Sequence, residues 1–191
     1  MKIGLYFGSF NPLHIGHCII ASYTLQNATI DQVWLVVSPQ NPFKKEGNLL
    51  NEYQRLHLAK LAFAETPEIK VVDIEFGLPK PSYTIDTMTY LKEKYPEHVF
   101  TIILGSDGFQ NIHKWKNAEI LARDYSFIVY KRPGYEIINK VIKLDYLELE
   151  APLLEISSTK IREYIKNRKS IKFMVPDAIL KEIDAAGYYK S

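Results

Sequence analysis

Short apolar runs recur along the chain and predict the strands of a sheet. They are IGLYF (3–7), VWLVV (33–37), IKVVDI (69–74), VFTIIL (99–104) and YSFIVY (125–130). Each run is rich in β-branched and aromatic residues, and most are continuously apolar, as expected for strands that are covered on both faces. The pattern predicts five strands of a parallel sheet, followed by a further short strand near YLELE.

Segments with helical spacing separate these runs. In NEYQRLHLAKLAFAE the apolar residues stand three or four positions apart, and Asn51 is available as an N-cap. A second apolar stripe runs through SYTIDTMTYLKEKYP until Pro96 ends it. Strands that alternate with helices form parallel sheets with right-handed crossovers. We therefore expect an α/β fold with a Rossmann-like, doubly wound parallel sheet.

The last forty residues depart from this rhythm and predict a C-terminal helical segment. In EISSTKIREYIKNRK, Ser157 or Ser158 can cap a helix. In VPDAILKEIDAAG, Pro176 suits the first helical position and Gly187 suits the C-terminal stop. We expect one domain over residues 1–191, with the Rossmann-like core in 1–150 and these helices, docked on the sheet, in 151–191.

The composition excludes several classes of protein. The chain has 191 residues, of which 47% are hydrophobic, and its formal net charge of +2 is too small to indicate nucleic-acid binding. A single cysteine, Cys18, allows no intramolecular disulfide. No apolar run reaches membrane-spanning length, and the amino terminus does not resemble a signal peptide. We therefore expect a cytoplasmic protein without membrane partners; the sequence carries no signal of its oligomeric state.

The segment GSFNPLHIGH (8–17) follows the first predicted strand, where an open parallel sheet places its ligand site. It matches neither the dinucleotide fingerprint nor the Walker A loop. His14 and His17 stand three positions apart, so in a first helical turn they share a face and can both point at one phosphate. One histidine could instead cap or pack while the other is incidental. A zinc site is not favoured, because no carboxylate or second histidine pair completes it.

Together with ISSTKIR (156–162), this segment resembles the HxGH nucleotidyltransferase superfamily, whose signature also occurs in class I aminoacyl-tRNA synthetases. A chain of 191 residues leaves no room for tRNA-binding domains. Within this superfamily the chain resembles the nicotinate-nucleotide adenylyltransferases, and this likeness runs nearly end to end. The further matching segments are SPQNPFKK, NEYQRLHLAKLA, DIEFGLPKPSYTIDTM, FTIILGSDGFQNIHKW and VYKRPG. Phosphopantetheine adenylyltransferases usually carry Thr where His14 stands, and they lack the SYTIDT and HKW pair.

The resemblance implies an enzyme of NAD biosynthesis. The 5′-phosphate of nicotinate mononucleotide would attack the α-phosphorus of ATP, giving deamido-NAD and pyrophosphate, with Mg²⁺ held mainly by the ATP phosphates rather than by protein ligands. Positioning and charge stabilisation supply most of the catalysis in transfers of this kind. ATP and the mononucleotide are then the partners of the chain, and Mg²⁺ is its cofactor.

The resemblance also assigns the site residues. Its catalytic residues are His14, His17 and Arg162. Its ATP-binding set adds Gly8, Ser9, Phe10, Gly105, Asp107, Ser157, Ser158 and Thr159. Its mononucleotide-binding set is Lys44, Tyr83, Thr84, Trp115 and Arg132. Within that set, backbone N–H groups near Tyr83 and Thr84 would read the nicotinate carboxylate, Trp115 would stack on the ring, and Lys44 and Arg132 would attract the phosphate.

The chain departs from the family pattern at three places. The family commonly has a second glycine where Ser9 stands, Asp where Asn11 stands, and Pro-Pro-His-Lys where this chain has NPFKK, so that Phe43 replaces a histidine. These departures concern the mononucleotide side more than the ATP side. Two other functions stay open, a preference for nicotinamide mononucleotide and a non-catalytic nucleotide-binding module; intact His14, His17 and Arg162 argue against the second.

Overall fold

A single parallel sheet organises the computed structural model, which describes residues 1–40, 49–138, 142–152 and 154–190. Within these ranges the strands are β1 (Lys2–Gly8), β2 (Gln32–Val37), β3 (Ile69–Val72), β4 (Val99–Gly105), β5 (Ser126–Tyr130) and β6 (Tyr146–Leu149). All five predicted strands and the short strand near YLELE are confirmed. β3 is shorter than predicted because a 3₁₀ turn, Ile74–Gly77, follows it.

Seven α-helices accompany the strands in the described ranges. They are α1 (Ile15–Asn27), α2 (Glu52–Ala62), α3 (Thr84–Lys94), α4 (Ser106–Gln110), α5 (Ala118–Asp124), α6 (Ser158–Lys166) and α7 (Asp177–Ala186). Asn51 caps α2 as predicted, and Ser157 rather than Ser158 caps α6. Pro176 is the N-cap of α7, one position before the predicted first turn, and Gly187 ends that helix in the left-handed conformation.

The strand order is β3-β2-β1-β4-β5-β6, and every neighbouring pair is parallel. This is the order of a doubly wound Rossmann-like sheet, which confirms the predicted fold class. The order reverses between β1 and β4. In such sheets a crevice opens at the carboxyl ends of the two strands on either side of the reversal. The loops after Gly8 and Gly105 therefore border the expected ligand site.

Apolar layers cover both faces of the sheet, which explains why the strand segments are continuously apolar. On one face Ile3, Leu5 and Ile102 pack with Met88 and Leu91 of α3. On the other face Leu35 and Ile128 are packed in a cluster with Leu58 of α2, Ile161 of α6, and Ile179 and Ile183 of α7. Each such side chain contributes about 1.5–3 kcal/mol on burial. The C-terminal helices are thus docked on the sheet, as predicted. Among the described helices, none is long and apolar enough to span a membrane.

Candidate active site

The two sequence motifs meet at the carboxyl ends of the strands. The loop after Gly8 runs to His14, the N-cap of α1, and the first turn of α6 lies against this loop. The hydroxyl of Ser158 donates to the carbonyl oxygen of Pro12 at 2.9 Å. Arg162 Nη1 donates to the carbonyl oxygen of Asn11 at 2.7 Å. GSFNPLHIGH and ISSTKIR therefore build one site from opposite ends of the chain.

The rings of His14 and His17 are stacked, which confirms that the two side chains share a face. Their centroids lie 3.7 Å apart with an interplanar angle of 24°. The backbone N–H of His14 donates to Nδ1 of His17 at 3.2 Å. Since Nδ1 of His17 accepts, the neutral ring carries its proton on Nε2. His17 thus presents an N–H donor, the group that a phosphate oxygen accepts.

His14 is almost completely buried, at 6% exposure. Burial, and to a smaller extent the nearby positive charge of Arg132, lower the pKa of its imidazole to about 4. Within the described residues its Nδ1 atom has no hydrogen-bond partner. In the unliganded protein at neutral pH, His14 therefore has hydrogen-bonding capacity and no charge. Gly16 allows this packing, since a Cβ there would lie 3.1 Å from Cε1 and Nδ1 of His14.

Phe10 stabilises the loop after β1. It is buried, and its backbone adopts a φ of 44°, in the left-handed region that a bulky residue rarely occupies. Its ring makes an edge-on contact with the ring of His17 at a centroid distance of 5.1 Å. A Cβ at Gly8 would lie 2.8 Å from the Phe10 ring, so Gly8 is required there for close approach. Phe10 thus fixes both the loop and the orientation of His17.

Arg55 of α2 anchors the same loops, and the sequence analysis did not single it out. Its side chain is 0% exposed and donates to backbone carbonyl oxygens rather than to a carboxylate. Nη1 reaches Ser9 at 2.6 Å and Ser38 at 2.8 Å, Nη2 reaches Pro39 at 3.1 Å, and Nε reaches Leu50 at 2.8 Å. A lone arginine in a predicted helix gives no signal of such a role. It ties the ends of β1 and β2 together.

The larger of two adjoining cavities has a volume of about 830 Å³ and lies over these loops. That volume suits a nucleotide-sized ligand. Its basic lining residues are Lys131, Arg132 and Arg162, against one carboxylate, Glu155. Nine of the eleven residues predicted to bind ATP line it, namely Gly8, Ser9, Phe10, His14, His17, Ser157, Ser158, Thr159 and Arg162. The walls therefore combine donors, local positive charge and a helix N-terminus.

The smaller cavity has a volume of about 230 Å³ and begins beside α3. Tyr83, Thr84 and Trp115 line it, so the structure brings these three predicted mononucleotide contacts together. Gly105 and Asp107, predicted for the ATP side, line this smaller cavity instead. The assignment of these two to ATP stays a prediction.

Arg132 stands where the two cavities join, because it lines both of them. Its Nη1 atom donates to Oδ2 of Asp107 at 3.1 Å. Its guanidinium lies over the ring of Tyr130, at 5.8 Å from the centroid. A cation at this junction borders both cavities. Lys44, the other predicted phosphate contact, lies outside the described residues, as does Phe43.

Asn11, one of the departures from the family pattern, makes contacts within the protein. Its Oδ1 atom accepts from the hydroxyl of Tyr189 at 2.9 Å and from the backbone N–H of Leu50 at 3.2 Å. Its carbonyl oxygen accepts from Arg162. Tyr189 itself has a φ of 65°. Asn11 therefore joins the C-terminal residues to the loop after β1.

Comparison with known proteins gives the family. The model of the cytidylyltransferase-like family matches residues 5–164. A relative from Flavobacterium psychrophilum, named "Probable nicotinate-nucleotide adenylyltransferase", is 48% identical over 192 residues and covers 100% of both chains. This chain belongs to the nicotinate-nucleotide adenylyltransferase family. A relative of the same name from Cytophaga hutchinsonii is 46% identical over 195 residues, again with 100% coverage of both chains.

Solved structures agree on the fold of this family member. The nicotinic acid mononucleotide adenylyltransferase of Plasmodium falciparum, complexed with NaAD, superposes with a TM-score of 0.83. The two share 23% sequence identity, and the match covers 98% of this chain and 97% of the other. The Rossmann-like arrangement is therefore common to chains that have diverged widely in sequence.

Proposed function

We propose that this chain transfers the adenylyl group of ATP to nicotinate mononucleotide, which forms deamido-NAD and releases pyrophosphate in NAD biosynthesis. Family membership supports this function, and so does the name of each relative. The observation that carries it is the junction of the two motifs, in which Arg162 and Ser158 bind the loop that presents His14 and His17. Taken separately, a capped helix and a histidine-bearing turn can each be explained as ordinary structural features without a ligand. Joined at the crevice of a doubly wound sheet, they form a polyphosphate site.

The larger cavity fits ATP. We assign the β- and γ-phosphates to the N-terminus of α6, where Ser157, Ser158 and Thr159 lie one turn from Arg162. Arginine suits this role because its planar fork grips two oxygen atoms at once. Negative charge increases on the phosphoryl oxygens during transfer, and an Nε2–H donor on His17 stabilises it.

The smaller cavity fits the pyridine nucleotide. It opens at the N-terminus of α3, where the first N–H groups of the helix have no intrahelical acceptor. These groups, near Tyr83 and Thr84, suit a carboxylate on the ring, and Trp115 offers an aromatic face for stacking. A ring held here places its ribose phosphate toward the junction with the larger cavity.

Arg132 is the residue that we assign to the attacking phosphate. It lines both cavities, so it can hold the phosphate of the mononucleotide against the α-phosphorus of ATP. The phosphate oxygen then forms a bond to the α-phosphorus as the bond to the pyrophosphate oxygen breaks. Fixing the two reactants in this geometry supplies a large part of the rate increase. No side chain has to become covalently attached.

Mg²⁺ would enter with ATP. Among the described residues, no group of three histidine, cysteine, aspartate or glutamate side chains is placed to hold a metal ion. The phosphate end of the larger cavity instead offers hydrogen-bond donors and arginine, which fit phosphate oxygens. When bound, Mg²⁺ would neutralise charge on the triphosphate. We propose a cytoplasmic location and small molecules as the substrates, without nucleic-acid or membrane partners.

Pyrophosphate release tests this function. ATP is supplied with nicotinate mononucleotide, nicotinamide mononucleotide or phosphopantetheine in parallel reactions, each with and without Mg²⁺. We expect the fastest turnover with nicotinate mononucleotide and a requirement for the divalent cation. No turnover with any acceptor would indicate the non-catalytic module, and faster turnover with the amide would correct the substrate.

A further inference from the structure

A buried carboxyl group, on Glu75, lines the smaller cavity and has no part in the site described so far. Glu75 lies in the 3₁₀ turn Ile74–Gly77, directly after β3, and its exposure is 1%. Buried glutamates are rare unless they are paired or functional. Its position beside the proposed pyridine site raises the question of what its carboxyl group binds.

The two oxygen atoms of Glu75 differ in their contacts. Oε1 accepts from the hydroxyl of Thr87 at 2.9 Å. Oε2 is buried and has no hydrogen-bond partner in the described part of the chain. The hydroxyl of Ser82, on the wall of the same cavity, is also buried and without such a partner. Two buried polar atoms that lack partners at one cavity call for an explanation, and a polar ligand bound in the cavity would supply one.

The carboxyl group of Glu75 has no cationic partner among the described residues. Lys116 and Arg132 line the same cavity, but they pair with Asp86 and Asp107. An ionised carboxylate without a cation is strongly disfavoured inside a protein.

Burial also raises the pKa of Glu75, and part of that rise is offset by the nearby hydroxyl of Ser38, the hydrogen-bonded hydroxyl of Thr87 and the nearby hydroxyl of Ser82. With Oε1 accepting from Thr87, Oε2 is the oxygen that is available to carry the proton of the neutral acid. Glu75 then offers a hydrogen-bond donor at its unpartnered atom.

A neutral Glu75 gives the cavity a set of donors. Its O–H group, the hydroxyl of Ser82 and the first N–H groups of α3 can all donate. A carboxylate on the pyridine ring needs donors only, whereas an amide also needs an acceptor for its NH₂ group. We propose that Glu75, as a neutral acid, donates a hydrogen bond to the nicotinate carboxylate and so determines the preference for the acid over the amide. This inference rests on the proposed function.

Two substitutions separate the donor from the charge. Glu75→Gln keeps an acceptor for Thr87 and an NH₂ donor toward the cavity, whereas Glu75→Leu keeps neither. The readout is the ratio of kcat/KM for nicotinate mononucleotide to that for nicotinamide mononucleotide. We expect Glu75→Gln to keep the ratio within about threefold of the parent and Glu75→Leu to lower it at least tenfold. The loss should come from KM for the nicotinate substrate, with KM for ATP changed less than about twofold.

Glu65→Gln and Glu65→Leu, at an exposed position after α2, are matched controls that should leave the ratio unchanged. An equal fall of the ratio in Glu75→Gln and Glu75→Leu would overturn the proposal, since it would show that an ionised carboxylate is needed. A ratio that stays within threefold in folded Glu75→Leu would overturn it too.

A measurement on the parent protein covers the case in which Glu75→Leu does not fold. The infrared spectrum at pH 7 should contain a carbonyl band of a protonated carboxylic acid that disappears in Glu75→Gln. Absence of this band in the parent refutes the neutral acid. If the parent turns over neither mononucleotide, the proposed function fails instead, and the infrared band still reports on Glu75.

Discussion

Arg162 donates a 2.7 Å hydrogen bond to the carbonyl oxygen of Asn11, which stands 151 positions earlier in the chain. A second nitrogen of the same guanidinium lies 3.3 Å from the hydroxyl of Thr159. The bond to Asn11 fixes the distance between the loop after β1 and the first turn of α6. Because the proposed triphosphate site lies between these two elements, Arg162 serves both as an expected ligand contact and as a tie within the site.

Arg162→Lys tests this double role. Lysine keeps the positive charge, but a single ammonium group cannot reach Asn11 and two phosphate oxygens together. We expect kcat/KM for ATP to fall by about 10–100-fold, a loss of the order of one or two charge-assisted hydrogen bonds. Arg168→Lys, an exposed arginine just beyond α6, is the control and should behave like the parent. Equal kinetics in both variants would show that the fork of Arg162 is dispensable.

His17→Ala should lower kcat much more than it weakens substrate binding. The lost Nε2–H donor acts on charge that develops during the reaction, so a fall in kcat of about 10²–10³-fold is expected with nearly unchanged KM values. Steady-state kinetics with ATP and the mononucleotide measure both constants. His113→Ala, at an exposed position, is the control. A parental kcat in His17→Ala would refute the role assigned to this histidine.

Gly16→Ala should reduce activity with little change in stability. The new Cβ would lie 3.1 Å from two atoms of the His14 ring, so the ring has to shift. Gly16 is the second residue of α1, so alanine gains only part of the ~1 kcal/mol of propensity that it has in a helix interior, and this gain offsets part of the collision. We expect at least a tenfold lower kcat and a free energy of unfolding within about 1 kcal/mol of the parent. Gly77→Ala, whose Cβ would meet nothing within 4 Å, is the control; similar kcat in both variants would contradict the collision.

His14→Asn should make the protein more resistant to acid. The pKa of His14 is about 4 in the folded protein and about 6.5 in an unfolded chain, so below pH 6.5 the unfolded state binds a proton that the folded state does not. This difference lowers the free energy of unfolding of the parent as the pH falls, by ~2 kcal/mol at pH 5 relative to pH 7.5. Asparagine is a good N-cap and has no such titration.

Urea unfolding of parent and His14→Asn at several pH values measures the effect. The free energy of unfolding of the variant, relative to that of the parent, should be ~2 kcal/mol higher at pH 5 than at pH 7.5. His113→Asn makes the same substitution at an exposed position and is the matched control. Parallel pH curves for His14→Asn and the parent would mean that His14 is accessible to protons in the fold.

Most of the secondary structure could be predicted from the sequence, for a physical reason. Strands that are covered on both faces must be apolar throughout, so each of the runs that predicted them stands out from its surroundings. Helix caps such as Asn51 and Gly187 are equally local, because they satisfy backbone groups or adopt a backbone conformation within a few positions of the residue itself. The end of β3 was missed, since nothing in IKVVDI marks the change to a 3₁₀ turn at Ile74.

The candidate site was predictable only where its residues share a motif. The spacing of His14 and His17 within one turn indicated a shared face, and the structure confirms the stacking. Glu75 and Arg55 gave no such signal, because a single charged residue in an element usually faces solvent. Burial is decided by what the element packs against, and for these two residues the partners lie up to 46 positions away.

By itself, the sequence determined the order of strands and helices, the doubly wound fold class and the family likeness carried by the two terminal motifs. Only the tertiary structure decided which groups meet. Arg162 contacts Asn11, and Arg132 contacts Asp107 at the junction of the cavities. Glu75 contacts Thr87 beside the smaller cavity. The physical reason is the range of the interactions. Propensity, capping and hydrophobic periodicity act over a few neighbouring residues, whereas burial, charge pairing and a pKa depend on segments that folding brings together from distant parts of the chain.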